Sequence, residues 1–107
     1  MILYTLYVGL EDHHGKYYTV PEVVAICQRH LTGFGIQLQH GFYAGKEEQN
    51  LKIEYIGPED DAESDLVALL ALDLADTLHQ EEVLVTFSHC ISLQVHGTLA
   101  HTTTREV

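Results

Sequence analysis

The stretch that decides the fold is Tyr4-Thr5-Leu6-Tyr7-Val8-Gly9-Leu10, in which side chains alternate between two faces. One face carries Ile2, Tyr4, Leu6 and Val8. A period of two residues predicts a half-buried or central β-strand. A second informative stretch, Gln80-Glu81-Glu82-Val83-Leu84-Val85, leads into a strand pattern near the other end of the chain. The elements between these two stretches decide how the strands connect.

A first helix is predicted to begin after Thr19. Thr19 can cap the helix, Pro21 is tolerated in its first turn, and Glu22 can bond back to the cap in a capping box. Apolar residues then follow a helical spacing as far as Leu31. Gly33 is predicted to end the helix as a left-handed cap.

Two strands follow the first helix. Alternation from Ile36 to Tyr43 predicts the second strand, and alternation from Leu51 to Tyr55 predicts the third. The charged segment 45–50 is predicted to be the turn between them. The short connection indicates an antiparallel hairpin.

A second helix is predicted to open with the acidic segment 59–65. Acidic residues stabilise a helix N-terminus through the helix dipole, which gives this run a structural explanation. Its core-facing stripe consists of Val67, Leu70, Ala71, Leu74 and Leu78. Leu69 and Leu72 fall outside that stripe. They indicate either a surface for a partner or scattered apolar residues on the surface.

The final strand pattern begins at Val83 and continues, less regularly, to Val95, as one long bent strand or as two strands around His89-Cys90. We therefore predict one α+β domain over residues 1–96. Residues 97–107 are predicted to form a flexible or arm-like tail. A chain of 107 residues is of single-domain length.

The order strand, helix, strand, strand, helix, strand predicts a ferredoxin-like βαββαβ fold. Such a fold has an antiparallel sheet with both helices on one face. The expected spatial order of the strands is 4-1-3-2 or a close variant. We further expect the first and third strands to lie side by side and parallel.

The formal charge is −11, from 16 acidic and 5 basic residues. This charge argues against direct nucleic-acid binding, because phosphate backbones would be repelled. It permits a surface that occupies a basic protein groove, although acidity also simply raises solubility. No apolar run is long enough for a transmembrane helix, and no secretory signal precedes the domain, so we expect a cytoplasmic protein.

Cysteine and histidine residues give no clear metal signature. Cys27 and Cys90 lack the spacing of a zinc or redox motif and are expected to be buried thiols. The sequence contains 8 histidines, but no HExxH motif or Cys/His quartet. His40 and His89 share predicted faces with phenylalanines and could meet across the sheet. No metal site, cofactor or catalytic residue is predicted.

A ligand site is more plausible than a catalytic one, because tyrosines offer flat, amphipathic contact surface. Lys16, Tyr17 and Tyr18 precede the first helix, whose amide end could receive an anion. Tyr7 and Tyr43 lie on predicted strands. These five residues are the predicted ligand-binding set, and tyrosines that merely fill the sheet surface are the alternative.

The stretches 4–10, 51–54 and 80–85 together resemble a group of small proteins of unassigned function found in phages, prophages and bacteria. The resemblance spans about residues 3–87, and it carries over no catalytic residues. It implies a small phage accessory protein that acts by binding, including interference with host defence.

We therefore expect a non-enzymatic, homo-oligomeric binding protein. It would inhibit a host defence component through its acidic surface or by sequestering a small nucleotide signal. The alternative is a small dimeric α+β enzyme that uses a histidine, such as His40 or His89, as a general base.

Overall fold

The strands form one four-stranded sheet in the order β2-β3-β1-β4. This computed structural model describes residues 1–91 and residue 97. Its elements are β1 (Ile2–Gly9), α1 (Val20–Cys27), β2 (Gly35–Tyr43), β3 (Lys46–Gly57), α2 (Asp61–Thr77) and β4 (Leu84–His89). The fold is ferredoxin-like α+β, and the predicted element order and strand order are confirmed.

The predicted direction of the third strand is wrong. β3 pairs antiparallel with both β1 and β2. The helical crossover makes β2 parallel to β1, and the hairpin then reverses the chain, so β3 runs between them in the opposite direction. Every neighbouring pair in this sheet is therefore antiparallel.

The hairpin turn is tighter than the sequence indicated. Ala44 and Gly45 have φ values of 52° and 78°, the left-handed pair of a two-residue hairpin turn. As a result β3 begins at Lys46, and the predicted charged turn over residues 45–50 is mostly strand.

Helix α1 begins as predicted and ends earlier. The Thr19 N–H donates to Glu22 Oε2 at 2.7 Å, and the Glu22 N–H donates to Thr19 Oγ1 at 3.3 Å, which confirms the capping box. The helix ends at Cys27 and not at Gly33. Backbone bonds from Arg29 and His30 to carbonyls three residues earlier tighten the chain there, ahead of its turn into β2.

One hydrophobic core lies between the helices and one face of the sheet. Leu6, Val8, Leu51 and Ile53 supply the sheet side, and Leu70 and Leu74 are among the residues that α2 supplies. Burial of this kind is the main stabilising term of the fold. The opposite sheet face is uncovered, with Ile56 49% and Leu84 59% exposed.

The structure shows where the histidines and cysteines singled out in the sequence lie. His40 and His89 lie on opposite edge strands, so they do not meet across the sheet. Cys27 is buried, and burial raises the pKa of its thiol to about 11, whereas Cys90 is only partly buried.

No described helix is long and apolar enough to span a bilayer. The continuation of β4 over residues 92–96 and the tail after Gly97 lie outside the described residues.

Candidate functional site

Three aromatic rings line up across neighbouring strands on the helix side of the sheet. The register places Tyr4 opposite both Tyr55 on β3 and Phe87 on β4. The rings of Tyr4 and Tyr55 stack with centroids 6.2 Å apart, and the Phe87 ring lies 6.4 Å from Tyr4. Tyr4 is buried, whereas Phe87 is 72% exposed. The row therefore runs from the core to an open aromatic surface.

The two tyrosines of this row are tied to consecutive residues in the first turns of α2. The Tyr55 hydroxyl donates to Glu63 Oε2 at 2.5 Å. The Tyr4 hydroxyl and Ser64 Oγ are 3.3 Å apart and share a hydrogen bond. These bonds fix the start of α2 against β1 and β3.

Gly57 allows this close approach. A Cβ at that position would lie 3.0 Å from Glu63 Oε2 and equally close to two atoms of the Tyr55 ring system. A side chain at residue 57 would therefore push Tyr55 and Glu63 apart. The sequence needs glycine here for the space it leaves and not for an unusual φ.

The hydrogen bond to Glu63, together with burial, raises the pKa of Tyr55 to about 12. The phenol therefore stays protonated at neutral pH and remains a donor. Glu63 accepts this bond through a carboxylate oxygen, so the pair positions a negative charge beside the aromatic row.

A cleft opens next to this row, between β1, β4 and the start of α2; we call it the α2 cleft. Its lining consists of Ile2, Tyr4, Glu59, Asp60, Asp61, Ser64, Phe87 and His89. Its volume is about 260 Å³. Ligand sites typically enclose roughly 300–1,000 Å³, so the volume of the α2 cleft lies just below that range.

The charge of the α2 cleft is negative. Glu59, Asp60 and Asp61 contribute carboxylates to the lining, and the Glu63 N–H donates to Asp60 Oδ1 at 2.8 Å. His89 Nε2 lies 3.4 Å from Glu59 Oε1, with both side chains largely exposed. Carboxylates beside aromatic faces attract cations, through charge and through the ring quadrupole. The arrangement is suited to a cationic organic ligand.

Two of the predicted ligand residues line a different surface. Tyr7 and Tyr17 border a wide groove at the far end of β1, together with Lys46 and the carboxylates Glu48 and Glu82. We call this surface the β1 groove. Its volume is about 960 Å³, so it is larger than the α2 cleft.

The remaining predicted residues are placed separately. Tyr18 belongs to the core at 8% exposure, and its hydroxyl donates to Asp12 Oδ2 at 3.2 Å. Lys16 lies over the Tyr18 ring, 5.0 Å from its centroid. The side chain of Tyr43 lies outside the described part of the structure. A ligand role for this set remains a prediction.

The α2 cleft was not among the sites predicted from the sequence. Tyr4 and Tyr55 have the alternation of ordinary strand residues, and the acidic run 59–65 has a sufficient explanation as a helix start. The signal available in the sequence was that tyrosines occur on β1 and β3 and that an acidic helix start follows β3 directly. A site can be predicted from this signal only when the pairing register between strands far apart in sequence is known.

Similarity to known proteins is found among solved structures. No family model and no curated protein matches the chain. A phage SAM lyase in its apo state superposes with a TM-score of 0.70 and 26% identity, covering 81% of this chain and 78% of the lyase. A phage SAM lyase in complex with S-methyl-5'-thioadenosine gives 0.67 and 24%, covering 81% and 79%. The de novo designed protein Foldit4 gives 0.51 and 11%, covering 84% and 98%.

Proposed function

We propose that this protein binds S-adenosylmethionine (SAM) in the α2 cleft and cleaves it to S-methyl-5'-thioadenosine. The observation that carries the proposal is the cleft itself, which Tyr4 and Phe87 line together with the acidic residues Glu59, Asp60 and Asp61. The likeness to a phage SAM lyase, at 26% identity over most of both chains, supports it.

The charge of SAM fits this lining. Its sulfonium centre is a permanent cation on a largely apolar framework. Rings attract such a cation by roughly 0.5–2 kcal/mol, depending on how far water is excluded. Carboxylates add Coulombic attraction that weakens with the distance and with the polarity of the surroundings. The thioether product has lost that charge and is held less tightly, which favours its release.

The bond changes need no water, metal or redox partner. The substrate's own carboxylate oxygen attacks the γ-carbon of its aminobutyryl chain and forms a five-membered lactone. The bond between that carbon and sulfur breaks, and its electron pair goes to sulfur. The products are neutral S-methyl-5'-thioadenosine and protonated homoserine lactone, so atoms and charge balance.

The aromatic walls and the carboxylates would act on different parts of this reaction. Negative carboxylate and positive sulfur neutralise each other in the transition state, so surroundings less polar than water favour the step. Tyr4 and Phe87 supply such surroundings. The side-chain carboxylates stabilise the charged ground state more than the transition state, so their contribution is to binding.

The decisive experiment is incubation of the purified full chain with SAM, with both products quantified by mass spectrometry. Release of S-methyl-5'-thioadenosine and homoserine lactone in equal amounts is expected. Phe87→Ala is expected to lower the rate of SAM cleavage, because it removes an exposed ring that forms an apolar wall of the cleft. Asp76→Asn is the matched control, since Asp76 lies roughly 22 Å further along α2 from Asp61 at 1.5 Å per residue.

The outcomes separate the two classes of function. Product formation no faster than in buffer, with SAM binding intact, would refute the enzyme and leave a SAM-binding protein. Absence of both binding and turnover would refute the proposal as a whole.

We extend the proposal to interference with host defence, through removal of a small nucleoside from the host. Depletion of SAM would deprive host methyltransferases and any defence signal made from SAM. The phage source of the lyase structures supports this setting. Expression of the chain should lower cellular SAM, and a variant inactive on SAM in vitro should not. Unchanged SAM levels despite activity in vitro would contradict the extension.

Binding to a basic protein groove is a second candidate, and the β1 groove favours it. Its acidic lining residues are Glu11, Asp12, Glu47, Glu48, Glu81 and Glu82. Association through this surface would weaken strongly with added salt. It would be insensitive to SAM, which distinguishes it from a function of the α2 cleft.

A further inference from the structure

The lysine and arginine side chains of the described residues all lie away from the α2 cleft, and His89, which lines the cleft, lies with its Nε2 3.4 Å from Glu59 Oε1. Lys16 covers Tyr18, and Arg29 pairs with Asp73 at 3.1 Å. Lys46 lines the β1 groove. Lys52 pairs in register with Tyr7, on the sheet face opposite the core. Within the described residues, the cleft therefore offers no guanidinium or ammonium side chain to a ligand carboxylate.

The start of α2 is the other place where an anion could bind, and the protein's own acidic side chains surround it. The Glu63 N–H donates to Asp60 Oδ1 at 2.8 Å, and the Ser64 N–H donates to the Asp60 carbonyl at 3.2 Å. Asp61 and Glu63 add two carboxylates to the first turn. The positive end of the helix dipole is thus compensated by the protein's own acids.

From this distribution of charge we infer that the α2 cleft recognises its ligand through the sulfonium centre and forms no ion pair with the ligand's carboxylate. The inference rests on the proposed function and specifies how the same site selects its substrate. A carboxylate left unpaired also remains free to attack the γ-carbon. The same negative lining repels phosphorylated nucleosides, so the ligand class is sulfonium nucleosides and not nucleotides.

The inference predicts an order of affinity that follows ligand charge. At neutral pH, decarboxylated SAM carries two positive charges, SAM carries a net charge of one, and S-methyl-5'-thioadenosine carries none. Decarboxylated SAM should bind at least as tightly as SAM. The neutral thioether should bind about tenfold more weakly than SAM, equivalent to roughly 1.4 kcal/mol. Only SAM should be cleaved, because decarboxylated SAM lacks the attacking group.

The test is calorimetric titration of the full chain with these three ligands, with product analysis in parallel. A doubly neutralised variant, Glu59→Gln with Asp61→Asn, should compress the affinity ratio between decarboxylated SAM and the thioether. Both side chains are exposed, so the fold should tolerate their neutralisation. Asp76→Asn should leave the ratio unchanged, since Asp76 lies far from the cleft.

Each outcome decides a separate point. If SAM is bound and cleaved but decarboxylated SAM binds tenfold more weakly than SAM, a base pairs with the ligand carboxylate and this inference is overturned while the proposed function stands. Adenosine monophosphate binding as tightly as SAM would overturn the inference as well. If neither SAM nor decarboxylated SAM binds, the inference and the proposed function fail together.

Discussion

Tyr55 shows how one hydrogen bond can give a residue a measurable signature. Glu63 and burial raise the pKa of Tyr55 to about 12, above the ordinary value for tyrosine of about 10. The folded value is the higher one, so the interaction stabilises the fold fully below about pH 10 and is lost as the pH rises through about 12. The stabilisation is therefore fully present at neutral pH, and its pH dependence appears only in alkaline solution.

We predict that Tyr55 ionises last or among the last of the tyrosines in the folded protein. Ultraviolet titration of phenolate should show one group titrating well above pH 10, and Glu63→Gln should move that group toward the others. Glu48→Gln, on a distant surface, is the control. A titration in which Glu63→Gln changes nothing would show that the Tyr55–Glu63 bond does not form in solution.

Tyr18 tests the ligand set predicted from sequence. Because Tyr18 is 8% exposed within the core, Tyr18→Ala should cost roughly 3–5 kcal/mol in unfolding free energy, the range for a buried aromatic. Lys16→Ala should change stability much less, since Lys16 is exposed. Chemical denaturation compares the two variants. A small loss for Tyr18→Ala, together with weakened ligand binding, would restore Tyr18 as a contact residue.

At the scale of elements, the two helices are joined by one acidic residue. Asp73 on α2 accepts hydrogen bonds from His30 Nε2 at 2.7 Å, Thr77 Oγ1 at 2.8 Å and Arg29 at 3.1 Å. His30 first, and then Thr77 and Arg29, hold the pKa of the Asp73 carboxyl below its ordinary value despite partial burial. The cluster spans the outer edge of the α1–α2 contact.

The lowered pKa gives Asp73 a pH-dependent contribution to stability. The contribution is present above the ordinary carboxyl value of about 4 and is lost as the pH falls through the lower folded value. Asp73→Asn should therefore cost about 1–2 kcal/mol at pH 7, typical of hydrogen bonds to a charged group with one exposed partner. Thermal unfolding from pH 7 downward should show the difference between wild type and variant shrinking below about pH 4. A difference that is independent of pH would mean that the charge is not what stabilises the contact.

The elements also show what local pattern can and cannot predict. The capping box at Thr19 and the apolar stripe ending at Leu78 were predictable, because each depends on residues within a few turns. The end of α1 at Cys27 was not predictable in this way. The chain tightens at Arg29 and His30 because it must turn there toward β2. The direction of β3 is a property of the whole connection and cannot be derived from alternation.

At the scale of the molecule, the candidate site was the least predictable feature. The α2 cleft combines Tyr4 from the start of the chain, the acidic segment 59–61 and Phe87 from the last described strand. Each has a sufficient local explanation as a strand residue or a helix cap. Only the sheet order, which places β1 between β3 and β4, brings them together.

Self-association is the prediction that belongs to the whole molecule. Leu69 and Leu72 are 57% and 60% exposed on α2, and Ile56 and Leu84 are exposed on the uncovered sheet face. Apolar side chains exposed on two surfaces favour burial against a second copy of the chain. We expect a dimer or higher oligomer at micromolar concentration by sedimentation velocity. The double variant Leu69→Ser with Leu72→Ser should shift the distribution toward monomer. It should not disturb the fold, because neither leucine is in the core. Ala68→Ser, also exposed on α2, is the control. A wild-type chain that sediments as a monomer throughout that range would disprove the prediction.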